Sequence, residues 1–191
     1  MKIGALVLAA GGSIRLGQPK QLLLFRGQSL VRRAAEAAIA AGCAPVVVVV
    51  GARREEVVNA LAGLDVTCLP NDSWADGIGT SIRVGVTALA ENCEGLIVLA
   101  CDQPHVDAAV IEQLITRQKE IRSPMAACTY AGTIGVPALF AQSLFPDLLA
   151  LRDAEGARRI LATRPNEVAG VDFPSGRIDI DTMDDYNALL A

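Results

Sequence analysis

Residues 3–25 read IGALVLAAGGSIRLGQPKQLLLF and combine an apolar run with a loop of glycines and cations. The run from Ile3 to Leu8 is short and continuous, as expected of a buried strand in a parallel sheet. Without Cβ atoms, Gly11 and Gly12 can turn successive N–H groups toward an anion, while Arg15 and Lys20 add positive charge. The stretch therefore predicts a strand that leads into a site for a phosphate-bearing ligand, such as a triphosphate.

Two common phosphate-binding motifs do not fit this loop. A P-loop needs GxxxxGK followed by Ser or Thr, but Gln18 follows Gly17 where the lysine should stand. The dinucleotide fingerprint GxGxxG fails because Gly11 and Gly12 are adjacent. The alternative is an ordinary glycine turn with two solvated cations. The ligand site is favoured because ligands of open α/β sheets often bind at the carboxyl end of a central strand.

Composition limits the class of protein. The chain has 191 residues, of which 52% are hydrophobic and 20% charged, and this predicts a single folded domain over residues 1–191. No apolar run approaches the roughly 18 residues of a membrane span, so no membrane is expected as a partner. A net charge of −4 argues against a nucleic-acid surface. Five widely spaced cysteines without a CxxC pair predict reduced, buried thiols and a cytoplasmic location.

Strands and helices alternate along the chain. After the first strand, the pattern predicts strands over 46–50, 66–69, 96–100 and 125–130, and helices over 28–41, 54–62 and 107–121. Another helix is expected from about Thr80, with Thr80 or Ser81 as its cap. This order is typical of a doubly wound α/β domain, with a mostly parallel sheet and helices on both faces.

LAAGGSIRLGQPKQLL, residues 8–23, resembles the LAAGxSxRxGxxKxLL signature of the MobA-like NTP transferases. This family includes the molybdenum-cofactor cytidylyl- and guanylyltransferases, and the match is closest to the cytidylyl, MocA-like branch. The resemblance implies a Rossmann-like fold of the nucleotide-diphospho-sugar transferase type. It also implies that the loop wraps a nucleoside triphosphate through Leu8, Ala9, Ala10, Gly11 and Gly12, with Arg15 and Lys20 as catalytic residues on its phosphates.

The segment NDSWADGIGTSIRVGV, residues 71–86, begins polar and becomes helical. Trp74 is interpreted as a shield for the core rather than as a ligand contact. The family has a similar Gly-x-x-x-Ser segment close to the nucleoside. The resemblance therefore assigns Gly77 and Ser81 to nucleotide binding.

CDQPH, residues 101–105, follows the predicted strand that ends at Ala100. A lone aspartate in this place is usually a turn or cap residue, but Asp102 leaves the same sheet edge as the glycine loop, where phosphate-bound Mg²⁺ needs a hard oxygen ligand. In the family an aspartate in this setting holds the metal, and that role falls on Asp102. His105, the one histidine of the sequence, is expected to be exposed and without a catalytic role.

TYAGTIGVPALF, residues 129–140, resembles a family segment that lines the acceptor pocket, and the match assigns Gly135 and Pro137 to acceptor binding. The alternative is that Gly132 and Gly135 only punctuate a hairpin. DAEGARRIL, residues 153–161, approximates the family's GDxGAR. Its departure at Asp153 and Ala154 leaves the identity of the acceptor open.

GRIDIDTMDDY, residues 176–186, alternates in a way that predicts a strand with Asp179 and Asp181 on one face, followed by a helix. Asp181 can serve as the helix N-cap. Asp179 has no such structural role. Because the family uses a second acid or amide from this region on the metal, the resemblance assigns Asp179 as a metal ligand beside Asp102, with Asp181 as the other candidate.

Taken with the resemblance, these residues predict a Mg²⁺-dependent nucleotidyltransferase. The expected reaction moves CMP from CTP to a phosphate-bearing acceptor such as molybdopterin and releases pyrophosphate, with a molybdoenzyme or its chaperone as a further partner. One alternative is a guanylyltransferase or a transferase for another acceptor. A second alternative is a non-catalytic module that holds a nucleotide or cofactor and delivers it to a partner.

Overall fold

The computed structural model describes residues 2–191 as alternating strands and helices. The strands are β1 (Ile3–Ala9), β2 (Leu24–Phe25), β3 (Gln28–Ser29), β4 (Val46–Val50), β5 (Thr67–Pro70), β6 (Gly95–Ala100), β7 (Met125–Tyr130), β8 (Thr133–Ala141) and β9 (Val168–Asp172). The helices are α1 (Leu30–Ala40), α2 (Arg54–Ala60), α3 (Ile78–Leu89), α4 (Ala108–Ile121), α5 (Phe145–Leu149), α6 (Arg158–Thr163) and α7 (Met183–Leu190).

Seven strands form one sheet in the order β5-β4-β1-β6-β8-β7-β9, and β2 pairs with β3 in a small separate hairpin. Within the seven-stranded sheet only β8 runs against its neighbours. Side chains of α1 and α4, such as Ala35 and Ile111, pack on one face of the sheet. Side chains of α3 and α5, such as Ile82 and Leu148, pack on the other. The predicted doubly wound, mostly parallel α/β architecture is confirmed.

The topology brings the candidate site residues to one edge of the sheet. Because β1, β4, β5 and β6 are mutually parallel, their carboxyl ends lie side by side. The glycine loop leaves β1, Asn71 follows β5 and Asp102 follows β6. The crevice outside these strand ends is the usual ligand position in open α/β sheets.

The strand predicted within residues 176–186 is wrong. Asp179 and Asp181 lie in a stretch without regular secondary structure, and neither caps a helix. Thr182 is the N-cap of α7, and it forms a reciprocal capping box with Asp185. Ile180 is buried in a small cluster with Leu16, Leu23, Phe25 and Leu30. This packing explains an apolar residue between the two aspartates without a strand.

The predicted start of α3 is also wrong. The helix begins at Ile78 and its cap position is Gly77, whose φ of 141° is favourable only for glycine. Thr80 lies inside the first turn, where its hydroxyl donates a hydrogen bond to the Gly77 carbonyl oxygen. The predicted Asp107 cap of α4 is confirmed, since its carboxylate accepts a hydrogen bond from the Val110 N–H.

All five cysteines lie within residues 2–191, and none forms a disulfide there. Cys43, Cys93, Cys101 and Cys128 are buried as predicted, whereas Cys68 is partly exposed. None of the helices in this range has the length and apolar character needed to cross a bilayer.

Candidate active site

The loop after β1 is held in shape by a buried glutamine. Gln21 is only 1% exposed, and its side-chain nitrogen donates hydrogen bonds to the carbonyl oxygens of Ala9, at 3.0 Å, and Gly11, at 2.6 Å. The Ser13 hydroxyl oxygen accepts a hydrogen bond from the Lys20 N–H at 3.0 Å. Hydrogen bonds between nearby residues therefore hold the conformation of the loop. Sequence reasoning missed both Gln21 and Ser13, because each is a common polar surface residue.

Four charged side chains meet beside this loop. The Lys20 ammonium lies 2.5 Å from an Asp102 carboxylate oxygen and 3.2 Å from an Asp181 carboxylate oxygen. The Arg15 guanidinium lies 2.7 Å from the other Asp181 oxygen. The structure thus brings together the predicted Arg15, Lys20 and Asp102. Asp181, interpreted first as a helix cap, joins them as an ion-pair partner.

The charges of this cluster reinforce one another. Burial lowers the pKa of the Lys20 ammonium, but the charge and hydrogen bond of Asp102, together with Asp181, outweigh it and leave the pKa raised. Burial raises the pKa of the Asp181 carboxyl, but Lys20 and Arg15 outweigh it and leave the pKa lowered. Both groups are therefore charged at neutral pH.

Asp179 stands at the edge of the same cluster. Partial desolvation raises the pKa of its carboxyl, and the negative charges of Asp181 and Asp102 raise it further. A carboxylate in such a field gains from a nearby cation. Residues 2–191 contain no group of three or more His, Cys, Asp or Glu side chains placed to hold a metal. One or two carboxylates fit Mg²⁺, which usually completes its shell with water and substrate phosphates.

A cavity of about 210 Å³ opens next to Asp102. Of the predicted nucleotide-binding residues, it includes Leu8, Ala10, Gly11, Lys20 and Ser81. The full lining is Leu8, Ala10, Gly11, Lys20, Gln21, Trp74, Ile78, Ser81, Ala100, Cys101 and Asp102. Apolar side chains such as Trp74 and Ile78 line one part of the cavity, and the glycine loop lines another. The Lys20–Asp102 ion pair also lines it.

Trp74 packs on the core, as predicted. It also forms a wall of this cavity, a position that the sequence interpretation did not anticipate. Its ring lies over Gly12 and Gly51, where an added Cβ would come within 3.0 Å and 2.7 Å of ring atoms respectively. Gly12 therefore makes room for the indole and does not line the cavity. Ala9 is 2% exposed and belongs to the core beneath the loop.

Ser81 is positioned by a buried amide that the sequence did not reveal. Asn71 is 4% exposed, and its side-chain nitrogen donates hydrogen bonds to the hydroxyl oxygens of Thr80, at 2.8 Å, and Ser81, at 2.9 Å. Because Asn71 directly follows β5, it ties the start of α3 to the sheet edge. The signal available from sequence was an asparagine directly after a strand, which also fits an ordinary turn.

Gly77 lies outside the cavity lining and has a packing role. A Cβ on Gly77 would overlap the carbonyl oxygen of Asp153, and the Gly79 N–H donates a hydrogen bond to that oxygen at 2.8 Å. The Asp153 carboxylate pairs with Arg83 at 2.5 Å. The Asp153-Ala154 stretch, which departs from the family pattern, is thus docked against the start of α3.

Gly135 and Pro137 are buried in β8 and do not line the cavity. A Cβ on Gly135 would overlap the Tyr130 hydroxyl, which donates a hydrogen bond to the Val136 carbonyl oxygen at 3.0 Å. Gly135 therefore makes room for the Tyr130 side chain, and Pro137 is packed in the same strand. Their role in acceptor binding stays a prediction.

His105 is half-buried, whereas the sequence predicted exposure. Its ring meets the edge of Phe25 at a centroid distance of 5.6 Å. Burial lowers the pKa of its imidazole, and the charges of Arg26 and Arg33 lower it further. The imidazole is therefore neutral at neutral pH.

Known proteins match this chain over nearly its whole length. Nicotine blue oxidoreductase of Paenarthrobacter nicotinovorans is 31% identical, with 98% of this chain and 96% of that protein covered. Purine catabolism protein PucB of Bacillus subtilis is 28% identical, with 94% and 92% covered.

Solved structures share the fold. Rv0371c from Mycobacterium tuberculosis superimposes with a TM-score of 0.85 at 27% identity, covering 100% of this chain and 98% of that one. The same protein has also been solved in complex with manganese, with a TM-score of 0.78 at 26% identity and coverage of 100% and 98%. A nucleotidyl transferase from Methanothermobacter gives a TM-score of 0.83 at 25% identity, covering 99% and 98%.

The MobA-like NTP transferase domain matches residues 5–168, a range that contains the glycine loop, Lys20, Asp102 and the cavity. This match confirms the resemblance first seen in residues 8–23. The chain therefore belongs to the MobA-like NTP transferase family and is a nucleotidyltransferase by family.

Proposed function

We propose that this nucleotidyltransferase transfers a cytidylyl group from CTP to the phosphate of a molybdopterin-type acceptor, with Mg²⁺ as cofactor. The observation that carries the proposal is the Lys20–Asp102–Asp181 ion cluster at the mouth of a peptide-lined cavity. The choice of CTP and molybdopterin is supported by the likeness of residues 8–23 to the MocA-like branch. A molybdoenzyme or its chaperone, met in the cytoplasm, is the proposed recipient of the product.

In the proposed reaction a phosphate oxygen of the acceptor attacks the α-phosphorus of CTP. A new P–O bond forms, the bond from the α-phosphorus to the bridging oxygen breaks, and pyrophosphate leaves with the bonding electrons. A phosphomonoester has its second pKa near ~6 and is already a dianion at neutral pH, so its oxygen needs no general base. The neutral, ring-packed His105 is accordingly left out of the mechanism.

The chain's own contribution is positioning and charge neutralisation. Backbone N–H groups near Gly11 face the phosphates, and Lys20 and Arg15 exchange part of their contact with Asp102 and Asp181 for contact with the triphosphate. Asp102 and Asp179 would hold Mg²⁺, which supplies neutralisation of the phosphate charge when bound. The manganese complex of the relative Rv0371c supports a divalent cation in this family.

A second candidate function has support from one observation. The relative that is 31% identical over 98% of this chain is named an oxidoreductase. The same cavity and cations suit the pyrophosphate of a nicotinamide dinucleotide, and reduction of a coloured aromatic substrate is the corresponding activity. The non-catalytic delivery module and a guanylyltransferase remain further alternatives.

One set of assays separates these functions. Pyrophosphate release is measured with each of the four nucleoside triphosphates and Mg²⁺, with and without molybdopterin, and oxidation of NADH and NADPH is followed in parallel with nicotine blue. We expect release only with CTP and acceptor together, and its loss in Asp102→Asn. Release with GTP would move the protein to the guanylyl branch. Nucleotide binding without release would favour a delivery module, and oxidation of a nicotinamide cofactor would favour the oxidoreductase.

A further inference from the structure

Gln103 follows Asp102 directly and is almost completely buried, at 8% exposure. Its side-chain nitrogen donates one hydrogen bond to the Val136 carbonyl oxygen at 3.0 Å and another to the Gly176 carbonyl oxygen at 3.1 Å. Val136 lies in the buried strand β8, and Gly176 lies three residues before Asp179. One amide therefore links the Asp102 loop, the sheet and the segment that carries Asp179.

The orientation of this amide follows from its partners. Both neighbours of the nitrogen are carbonyl oxygens, which only accept, so the NH₂ group must face them. The Gln103 side-chain oxygen is then buried without a hydrogen-bond donor among residues 2–191. An unpaired buried acceptor is costly and uncommon in folded proteins. The two hydrogen bonds that the nitrogen donates fix the amide, and they join the residue after Asp102 to the segment that leads to Asp179.

Two further contacts near Gln103 hold the same segments together. The Tyr130 ring lies between Gly135 and Gly176, and a Cβ on Gly176 would come within 2.6 Å of the ring. A second link comes from the Ile180 N–H, which donates a hydrogen bond to the Asp102 carbonyl oxygen at 3.0 Å. Two hydrogen bonds thus join residues 176–180 to residues 102 and 103. Asp179 lies between the two bonded residues, Gly176 and Ile180.

We infer that Gln103 is a positioning residue that sets where the Asp179 carboxylate stands relative to the Asp102 carboxylate. This inference rests on the proposed function, because it concerns the two carboxylates proposed to hold the metal. Without the amide, the hydrogen bond from the Ile180 N–H to the Asp102 carbonyl oxygen still joins the two segments, but the position of Asp179 relative to Asp102 is held less firmly. Outer-shell groups of this kind change metal affinity or activity by about 10- to 100-fold when they are removed.

The test is Gln103→Met, which keeps the length and apolar bulk of the side chain and removes both hydrogen bonds. Its matched control is Gln118→Met. Gln118 is also buried, at 4% exposure, and its side-chain nitrogen donates to the Pro124 carbonyl oxygen at 3.3 Å, on α4 and away from the carboxylates. Mn²⁺ binding is measured by electron paramagnetic resonance with CTP present, and kcat and KM for CTP are measured in the transfer assay.

We expect both variants to melt at lower temperature than the unsubstituted protein. Only Gln103→Met should bind Mn²⁺ about tenfold more weakly and lose about tenfold in kcat, with KM for CTP within about twofold. If Gln103→Met does not fold, Gln103→Asn, whose amide is one methylene too short to reach both carbonyls, takes its place with the same expectation.

Equal Mn²⁺ affinity in Gln103→Met and Gln118→Met would overturn the inference and leave Gln103 as a stability residue. Failure of the unsubstituted protein to bind Mn²⁺ in the presence of CTP would overturn it too. Failure of the proposed function looks different: Mn²⁺ and CTP bind, no transfer occurs with any acceptor, and the Mn²⁺ affinities of the two variants still report on Gln103.

Discussion

Two segments reach the Lys20–Asp102 ion pair from opposite ends of the chain, and they are held in different ways. The loop after β1 is fixed by its own residues, since Gln21 and Ser13 bond to positions within 12 residues along the chain. The segment before α7 is fixed by distant ones. Gln103 reaches Gly176 across 73 positions, and Arg15 reaches Asp181 across 166.

This difference has a functional meaning under the proposed mechanism. A locally closed loop can bind phosphates even when the rest of the site is perturbed. The segment that carries Asp179 and Asp181 depends on the assembled sheet, so it can control turnover without controlling nucleotide binding. Changes in the two segments should therefore separate nucleotide affinity from catalysis.

The largest effect is expected from Asp102→Asn, at the point where the two segments meet. Asparagine keeps the size and one oxygen but loses the charge, so Mg²⁺ should be held less well. We expect turnover to fall about a hundredfold or more, since each ~1.36 kcal/mol of lost transition-state stabilisation is tenfold in rate. Higher Mg²⁺ should recover part of it. A near-normal rate with unchanged Mg²⁺ dependence would make Asp102 a structural residue, and circular dichroism checks that the variant is folded.

Lys20→Met tests the loop side and should weaken CTP binding about tenfold, measured by calorimetry. Lys119→Met, which removes an exposed lysine from α4, is the matched control and should leave affinity unchanged. Because the Lys20 ammonium competes for Asp102 and Asp181, Mn²⁺ without nucleotide should bind Lys20→Met more tightly than the unsubstituted protein. Equal CTP affinity in the two lysine variants would remove Lys20 from the nucleotide site.

Gly135→Ala tests the packing of Tyr130 between β8 and Gly176, in the part of the site held by residues far apart in the chain. The new methyl group would overlap the Tyr130 hydroxyl, whose ring is already packed against Gly176. We expect a loss of about 1 kcal/mol or more in the free energy of unfolding, measured with urea. Tyr130→Phe combined with Gly135→Ala should lose less than the sum of the two single changes, because the hydroxyl that clashes is gone. Additive losses would show that the two residues are not in conflict.

The smallest effect concerns the thiols. Burial raises the pKa of Cys43 to about 11 and that of Cys128 to about 12, so both stay protonated in the folded protein. Unfolded thiols ionise near pH ~8.5, so the free energy of unfolding should be insensitive to these groups at pH 7 and should decline as the pH rises above ~8.5.

The exposure of the thiols predicts their order of labelling. At pH 7 a maleimide reagent should label the partly exposed Cys68 first, as read by mass spectrometry. An intramolecular disulfide in the native protein would contradict the reduced state.

The parts of the site that were predictable are the ones governed by local chemistry. The glycine loop, Lys20 and Asp102 follow from strand ends, glycine and charge, and the sheet brings these residues to one edge. Ser13, Gln21, Asn71 and Gln103 were missed because a polar side chain gives no sign in sequence of which carbonyl it will meet. Asp181 was interpreted as a cap because its neighbours formed a good helix start, and the structure moves that cap by one residue to Thr182.

The sequence by itself determined the doubly wound α/β fold class, the glycine loop after the first strand and the family. These depend on hydrophobic period, backbone freedom at glycine and a long contiguous motif, all of which are properties of neighbouring residues. Only the tertiary structure decided that Asp181 pairs with Lys20 and Arg15, that Gly77 and Gly135 serve packing, and that Gln103 joins three segments. Those contacts link residues far apart in the chain, and their geometry exists only once the core has brought the sheet edge together.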